Sequence, residues 1–457
     1  MTLSSKAGSR QEISTDATDV LVIPQEQHPI TIEMIDPDAL LVLKRLKSAG
    51  FYAYLVGGGV RDLYLGGTPK DFDISTDAKP GQLRKIFPNS CTIGRRFRLV
   101  QVFFRGGKVI EISTLRSLSE HDLDGPEQVL APNNTFGTLS EDAQRRDLTI
   151  NSLFYEIENN TIIDHVRGVE DLEASIVRLV GIPEKRINRD PVRMMRAIRH
   201  SARNNFTIEK NSWKAICANS DKLSLCPPSR LRDEILKDLY SGASSPWFER
   251  AMDSGIFPVL FPLYRSILKG SHWNNTEPGK LLSRIFKTID RVNSVAVEQK
   301  IHRQPDFFLF ALILIPWAES RFQILTVRRK GAQLFQISKQ MRSELDQTLG
   351  TDLNLRRSLR QEIVNLLTNL ATLVHNRKEN DWPKWLQNKS YFSKCSLFYS
   401  FYIEASGDEQ VQEEQLRVGS PVKQRQLQKT PAKKASNSRT RPAFSRKGKG
   451  SIFGFKK

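Results

Sequence analysis

The amino-acid sequence predicts an α+β protein in which a mixed sheet with helices is followed by all-α domains. Short apolar runs alternate with amphipathic stretches over the first third of the chain, as in a mixed sheet. The periodicity then becomes helical, and only basic charges occur near the C-terminus. We therefore divide the 457 residues into a disordered leader (1–28), an α/β head (29–165), a helical neck (166–225), a helical body and tail (226–405) and a disordered basic arm (406–457).

The elements of the head are expected in a regular order. An amphipathic helix fits residues 37–49, an apolar strand follows at 52–56, and a glycine turn then opens a second helix. Further strands are expected at residues 71–75, 98–104, 109–114, 153–157 and 161–164. In the neck, Asp190 and Pro191 are the residue types expected at the N-cap and first position of a helix.

The charge of the chain indicates a polyanionic partner. The net charge is +19, and residues 417–457 contain 13 Lys and Arg but no Asp or Glu. The remaining +6 belongs to residues 1–416, so the part expected to fold is only mildly basic. Such a balance is typical of a protein that binds nucleic acid or an acidic membrane surface.

Cysteine usage and hydropathy favour a cytoplasmic location. The four cysteines form no CxxC pair and no closely spaced framework, which disfavours a zinc site and disulfides. Residues 1–27 lack the apolar core of a signal peptide. The best apolar run, residues 307–317, is too short to span a bilayer. We therefore expect no membrane partner.

Two aspartates in the sequence DFD, Asp71 and Asp73, carry the strongest chemical signal. Side chains i and i+2 of a strand share a face and lie about 6–7 Å apart, so both carboxylates would point the same way. Such a pair suits two divalent metal ions, one for an attacking 3′-hydroxyl and one for a triphosphate and its leaving group. Oxygen ligands and phosphate favour Mg²⁺. Glu111 is a candidate third metal ligand, and an ordinary strand-end glutamate is the alternative.

A glycine turn, GGGVRD at residues 57–62, precedes these aspartates. A backbone without Cβ atoms can approach a triphosphate closely, and the helix that follows offers free N–H groups. We therefore expect Gly57 and Gly58 to bind the nucleotide and Arg61 to contact its phosphates. The GxxxxGK[ST] sequence of a P-loop does not occur here. A glycine turn so close to a DxD strand favours nucleotidyl transfer over a solvated turn.

Five segments in the same order resemble the class II tRNA nucleotidyltransferase and bacterial poly(A) polymerase family. They are LVGGGVRD (55–62), DFD (71–73), IGRRFRL (93–99), EDAQRRDLTINS (141–152) and RDPVRMMRAIR (189–199). Together they cover about residues 50–205. The resemblance implies a polymerase-β-like catalytic head followed by neck, body and tail, with ATP as a substrate, magnesium at the DFD aspartates and an RNA-binding body and tail.

The resemblance also implies roles for four further residues. Arg146 and Asp147 would lie by the incoming ribose, with Asp147 among the catalytic carboxylates. Asp190 and Arg193 would read the nucleotide base, and residues three apart on a helix do share a face. One departure is Arg189, which stands where the family usually has an acidic residue that steadies the base-reading arginine.

Other basic residues are candidates for contacts with nucleotide or RNA. Arg196 and Arg199 belong to a basic stripe on the neck helix, for which a solvated or salt-bridged surface is the alternative. Arg95 and Arg96 are candidates for RNA phosphates, and Arg116 is a further candidate for a phosphate contact, with ordinary surface charge as the alternative. The arm offers six more candidates for RNA binding, namely Lys433, Lys434, Arg439, Arg441, Arg446 and Lys447.

The same chemistry could add either a run of A to RNA 3′ ends or a defined CCA to tRNA. Residues 93–102 resemble the stretch that marks bacterial poly(A) polymerases, and so does the arm in its position and composition. A basic arm gives sequence-independent, salt-sensitive binding of phosphates, which suits varied RNA ends. We therefore favour template-independent transfer of AMP from ATP to RNA. The alternatives are a CCA-adding enzyme and a catalytically idle RNA-binding relative.

Overall fold

The computed structural model of the chain describes most residues between Val20 and Leu416. The described residues are 20–94, 98–117, 136–268, 270, 272–377, 382–407, 410–412 and 415–416. Of the predicted RNA contacts, Arg95 and Arg96 lie outside them, as do all six candidates in the arm. The described residues belong to one compact unit that spans residues 1–420.

The head is built on one mixed sheet of eight strands. The strands are β1 (Leu21–Ile23), β2 (Ala53–Val56), β3 (Asp73–Thr76), β4 (Ser90–Ile93), β5 (Leu99–Phe103), β6 (Val109–Thr114), β7 (Phe154–Glu156) and β8 (Thr161–Asp164). Their order across the sheet is β1-β8-β7-β2-β3-β6-β5-β4. All neighbours are antiparallel except β3 and β6, which run parallel. A separate pair, β9 (Ile176–Val177) and β10 (Thr207–Ile208), is also parallel.

Helices cover the sheet and make up most of the chain after it. Those of the head and neck are α1 (Pro37–Ser48), α2 (Gly58–Tyr64), α3 (Pro80–Ile86), α4 (Leu139–Arg145), α5 (Gly168–Glu173), α6 (Pro183–Arg189), α7 (Val192–Asn204) and α8 (Lys210–Ala218). Those of the body and tail are α9 (Pro228–Leu239), α10 (Ser244–Asp253), α11 (Phe257–Leu260), α12 (Glu277–Glu298), α13 (Asp306–Ile313), α14 (Ile315–Phe322), α15 (Ala332–Gln347), α16 (Leu349–Asp352), α17 (Arg357–Asn376), α18 (Lys384–Gln387) and α19 (Phe392–Ser406). The α+β prediction is confirmed.

Apolar burial explains why the elements pack in this way. Strand β2 lies in the middle of the sheet, and all four of its residues are buried. In the body, Phe248 and Phe286 stack with ring centroids 4.5 Å apart and join α10 to α12. The apolar run at residues 307–317 forms most of α13 and the start of α14 and is almost entirely buried. No described helix is long and apolar enough to cross a membrane.

Strand β4 and the pair β9 and β10 are not among the strands expected from the sequence, and two further local features differ from the expectations. Residues 20–28, assigned to a disordered leader, contain strand β1, which pairs antiparallel with β8 and buries Ile23 at the edge of the sheet. A strand of three residues is too short to show a periodic pattern. The neck helix begins at Val192, with Pro191 rather than Asp190 at the N-cap. The Asp190 side chain does not cap this helix because it is bound to an arginine of another helix.

Candidate functional site

A cleft of about 490 Å³ brings together residues of the head, the neck and the first helix of the body. Its lining combines carboxylates, a glycine turn and a group of arginines. Of the residues predicted from the sequence it contains Gly57, Gly58, Asp73, Glu111, Arg146, Asp147, Asp190, Arg193 and Arg196. Asp71, Arg61 and Arg199 are not part of this lining.

The acidic part of the cleft is formed by two neighbouring strands. Asp73 begins β3 and is in register with Glu111 on the parallel strand β6, so the two side chains share a face. Asp71 precedes the strand, but exposure alternates from residue 71 to 74, which places Asp71 and Asp73 on the open side. Phe72 and Ile74 are buried beneath them. The structure thus brings the predicted pair and the candidate third carboxylate to one surface.

Burial and the neighbouring carboxylates together raise the pKa of Asp73. Desolvation in the cleft and the nearby Glu111 raise the pKa of Asp73 to about 6, Arg146 opposes the rise, and Asp71 adds to it. Among the described residues, none of the three carboxylates forms an ion pair with a Lys, Arg or His. Gln101 donates a hydrogen bond of 2.9 Å to Oε1 of Glu111. Uncompensated negative charge of this kind attracts a cation.

The donor set fits magnesium held jointly with a substrate. No group of three or more His, Cys, Asp or Glu side chains among the described residues is arranged to hold a metal ion alone. Mg²⁺ commonly uses only one or two carboxylates and completes its coordination with water and phosphate oxygens. Asp71, Asp73 and Glu111 supply hard oxygen ligands of this type beside the glycine turn.

The glycine turn borders the same cleft. Gly57 directly precedes α2 and has φ +70°. Residues with a side chain rarely adopt this backbone conformation. A Cβ atom at Gly57 would lie 3.4 Å from Nη1 of Arg146, a tight contact. The backbone of Gly57 and Gly58 therefore lines the cleft without side chains, so that a ligand can approach it closely.

Arg146 is held in place between the glycine turn and the sheet. Its guanidinium donates to Oδ2 of Asp142 at 2.9 and 3.2 Å and to Oγ of Ser75 at 3.1 Å. It also lies over the ring of Phe154, 5.0 Å from the centroid. These contacts orient the guanidinium beside Gly57 at the edge of the cleft.

Arg61 occupies a different position from the one predicted. Its side chain is 3% exposed and lies behind the glycine turn. It donates to Asp62 at 2.6 and 3.0 Å and to the side chain of Asn151, and it lies 3.2 Å from Nδ1 of His200. Arg61 thus ties α2 to the neck helix α7, and in this structure its guanidinium does not reach the cleft.

Asp147 is engaged by the neck helix. Arg196 donates to its Oδ2 at 3.0 Å, and the N–H of Leu148 donates to its Oδ1 at 2.8 Å. Burial alone would raise the pKa of Asp147, but Arg196, Arg193 and His200 outweigh it and hold this pKa well below its usual range. Asp147 is therefore a fixed negative charge that orients Arg196 in the cleft.

The two candidate base-reading residues are held by different partners. Asp190 accepts two hydrogen bonds, of 2.7 and 2.8 Å, from the guanidinium of Arg230 on α9. Arg193 donates to the backbone carbonyls of Arg146 and Arg145 at 2.6 and 2.8 Å. Its Nε is buried without a hydrogen-bond partner among the described residues. Carbonyl groups thus hold Arg193, which needs no acidic residue at position 189 for its orientation.

Arg199 belongs to the packing between neck and body. It is 8% exposed and forms ion pairs with Glu234 at 2.6 Å and Asp238 at 2.5 Å, both on α9. Glu234 also lies 3.5 Å from Arg196. The salt-bridged alternative thus describes the position of Arg199, whose guanidinium points away from the cleft because two carboxylates of α9 bind it.

Sequence reasoning missed two arginines of the cleft, Arg230 and Arg145. Arg230 could have been found from its spacing, since Arg230, Glu234 and Asp238 recur every four residues along one face of α9. Arg145 also lines the cleft, and so does Arg116, which the sequence suggests as a candidate for phosphate contacts. Burial and then the nearby Arg116 lower the pKa of Arg145 to about 9, while Asp142 opposes the shift. Crowded guanidinium groups of this kind favour an anion such as a phosphate.

Carboxylates on adjacent strands, a glycine turn and clustered arginines around one cleft define a nucleotidyltransferase. The family described as Poly A polymerase head domain matches residues 53–178, and that described as probable RNA and SrmB-binding site of polymerase A matches residues 205–268. Poly(A) polymerase I of Salmonella typhi is 38% identical over 322 residues, which are 69% of this chain and 68% of that protein. The chain belongs to the poly(A) polymerase I family.

Relatives with a second activity match a shorter part of the chain. A CCA-adding enzyme of Lactobacillus johnsonii is 40% identical over 219 residues, 48% of this chain and 54% of that enzyme. Among solved structures, a tRNA-processing enzyme in an apo form aligns with a TM-score of 0.54 at 20% identity, covering 86% of this chain and 92% of that one. This likeness extends over head and helical domains and supports their common fold.

Proposed function

We propose that the protein transfers AMP from ATP to the 3′-hydroxyl of RNA without a template. The observation that carries this proposal is the placement of Asp73 and Glu111 side by side in a cleft that also holds the glycine turn and six arginines. Such a cleft can hold a metal-bound triphosphate. The similarity to poly(A) polymerase I over 69% of the chain supports ATP and RNA as substrates.

Asp71 and Asp73 would hold two magnesium ions, with Glu111 as a further oxygen ligand. When bound, such ions supply activation of the attacking hydroxyl and neutralisation of charge on the triphosphate. Gly57 and Gly58 would leave room for the triphosphate, and Arg146 would donate to it from the opposite side of the turn. Because Asp142 and Ser75 fix Arg146, this donor would be preorganised where negative charge develops.

The neck would bind the nucleoside. An adenine can donate from its amino group to Asp190 and accept at a ring nitrogen from the guanidinium of Arg193, since both residues line the cleft. Arg196, oriented by Asp147, would contact the ribose or the phosphates. Asp147 acts in this scheme through Arg196, and a direct catalytic role for its carboxylate stays a prediction.

The product can be tested with two RNAs and two nucleotides. Purified protein is offered an unstructured RNA and a tRNA lacking CCA, with magnesium and either ATP alone or ATP with CTP. A long ladder of A on both RNAs is the expected result. Addition that stops after CCA and occurs only on tRNA would instead assign a CCA-adding activity to this protein. The similarity to the CCA-adding enzyme of Lactobacillus johnsonii is the observation that favours this alternative. Absence of incorporation from any triphosphate would indicate an idle RNA-binding relative.

RNA 3′ ends and ATP are the partners that this function requires. The segment matching the RNA-binding family, residues 205–268, supports RNA binding by the helical part of the chain. Three further points stay predictions. They are RNA binding by the basic residues of the arm, the division of the chain into leader, head, neck, body and arm, and the cytoplasmic location. We expect the arm to add salt-sensitive affinity for RNA of any sequence.

A further inference from the structure

One surface of the tail presents cations around an exposed aromatic ring. Residues 326–342 contain five Lys and Arg and no Asp or Glu. We define the α15 surface by four exposed residues of this segment, namely Arg328, Lys330, Phe335 and Lys339. It lies outside the cleft and outside the segment that matches the RNA-binding family.

Phe335 is the central feature of this surface. Its side chain is 72% exposed, the highest value among the large apolar residues that the structure describes as exposed. The ring stands on a helix that is itself well anchored, because Met341 and Leu345 of α15 are fully buried. Lys339 lies four residues further on and therefore shares its face of the helix. The Phe335 ring is thus exposed to solvent beside a lysine, on a helix that is itself anchored.

The positive charges of the surface are not neutralised by carboxylates. Arg328 donates to the side-chain oxygen of Asn376 at 3.2 Å. Arg329, beneath it, donates to the backbone carbonyls of Phe322 and Gln323 at 2.7 and 2.9 Å. Lys330 and Lys339 form no ion pair among the described residues. The arginines are thus oriented by neutral groups, and the whole surface keeps its positive charge.

Three carboxylates that lie on α15 or contact the segment before it have hydrogen-bond or ion-pair partners of their own. Glu319 accepts hydrogen bonds from the N–H of Leu325 and the hydroxyl of Thr326. Further along α15, Glu344 pairs with Arg321, and Asp346 pairs with Arg342 and Arg360. The N-terminus of α15 adds a positive field to the same place, since no side chain caps its first N–H groups.

An unneutralised set of cations around a single aromatic ring matches single-stranded nucleic acid. Bases stack on such rings whatever their sequence, and lysines and arginines contact the phosphates. A protein partner would more readily be expected to cover a continuous apolar stripe, whereas the positions that share the face of Phe335 on α15 are the small or polar residues Gly331, Ala332, Ser338 and Lys339. Charge complementarity therefore selects an RNA strand over a protein surface.

We propose that the α15 surface binds the single-stranded RNA substrate at a distance from its reacting 3′ end. Phe335 stacks on a base, and Arg328, Lys330 and Lys339 contact phosphates on either side of it. This proposal rests on the proposed function in taking RNA as the substrate. It adds a second point of attachment, which would hold a strand while its 3′ end is extended.

The test compares full-length variants in direct RNA binding without nucleotide. Phe335→Ala should raise the Kd for a long unstructured RNA about 5-fold or more, given the usual contribution of base stacking. Lys330→Gln with Lys339→Gln should reduce the slope of log Kd against log salt by about 1.4, because two phosphate contacts to a single strand are lost. Photo-crosslinking should attach the RNA to a peptide within residues 326–342.

Matched controls remove an exposed ring and an exposed lysine elsewhere. Tyr52 is 62% exposed beside Asp77, and Lys280 pairs with Glu277. Tyr52→Ala and Lys280→Gln should leave the Kd and the salt slope unchanged. The kcat of Tyr52→Ala and of Lys280→Gln on a saturating short primer should equal that of the wild type, since neither residue lines the cleft.

Two results would overturn the proposal. One is wild-type RNA affinity in Phe335→Ala and in the double lysine variant, with no crosslink in the segment. The other is unchanged RNA affinity combined with altered self-association, which would assign the surface to a protein contact. Both readouts are independent of catalysis, so a failure of AMP transfer would not be mistaken for a failure of RNA binding at α15.

Discussion

Arg230 of the body and Asp190 of the neck form a two-point ion pair, with N–O distances of 2.7 and 2.8 Å, at the wall of the cleft. The pair fixes both oxygens of the carboxylate that would read the base. It also brings a body helix to the wall of the cleft. In the proposed scheme, nucleotide selection would therefore depend on how α9 packs against the neck.

The first prediction concerns this pair. Arg230→Gln should lower kcat/KM for ATP about 10- to 100-fold, because hydrogen bonds to charged groups contribute roughly 1.5–3 kcal/mol. Most of the loss should appear in KM, together with weaker discrimination between ATP and CTP. Arg230→Lys should show a similar loss of kcat/KM for ATP, since lysine cannot form the two-point contact with Asp190. Steady-state kinetics with each nucleotide measure these changes.

The control for this prediction lies two residues away on the same helix. Arg232 pairs with Asp233 and donates to the backbone carbonyl of Asn354, away from the cleft. Arg232→Gln should leave KM for ATP unchanged. If Arg230→Gln changed only thermal stability and left the selection between nucleotides intact, the pair would be structural and its role in positioning Asp190 would be rejected.

The second prediction concerns the acidic surface. Asp73→Asn should reduce AMP incorporation by more than about 100-fold, because even residues that merely support metal ligands often contribute 10- to 100-fold. Glu111→Gln should have a smaller effect, relieved in part by higher magnesium concentrations. RNA affinity measured without nucleotide should not fall in either variant. Full activity of Asp73→Asn at ordinary magnesium concentrations would exclude Asp73 as a metal ligand.

The third prediction concerns the buried contact between neck and body. Arg199→Met should destabilise the protein by about 3–5 kcal/mol, because it leaves Glu234 and Asp238 buried without their shared partner. Denaturant unfolding measures this change. Neutralising both carboxylates with Glu234→Gln and Asp238→Asn in the same chain should recover part of the loss, because no unpaired buried charge then remains. A stable Arg199→Met protein with a raised KM for ATP would instead support the nucleotide contact predicted from the sequence.

The sequence predicts those parts of the site whose residues lie close together along the chain, and it does not predict contacts between distant residues. The glycine turn and the two aspartates lie within 17 residues of each other, and their chemistry depends on local geometry. Arg230 follows Asp190 by 40 residues, so only the packed helices show that they meet. Arg61 follows the glycines directly, yet contacts with Asn151 and His200 turn it inward. Tertiary packing decided both positions.

The fourth prediction concerns His200, which links the neck to the head. Its Nδ1 lies 3.2 Å from Arg61, and its Nε2 lies 3.4 Å from the side-chain nitrogen of Asn151. Desolvation and then Arg61 hold the pKa of His200 well below its usual range, although Asp147 opposes this shift. The folded protein therefore keeps this histidine neutral, whereas the unfolded chain protonates it near pH 6.5.

The sign of the resulting pH dependence follows from this difference. The contribution of His200 is fully present above the unfolded pKa and is lost as the pH falls below about 6.5, at up to about 1.4 kcal/mol per pH unit. His200→Gln should therefore lose less stability than the wild type between pH 6.5 and 5 in denaturant unfolding. His302→Gln, at an exposed position, controls for the removal of a histidine. Equal acid sensitivity of wild type and His200→Gln would show that the histidine is not held neutral between Arg61 and Asn151.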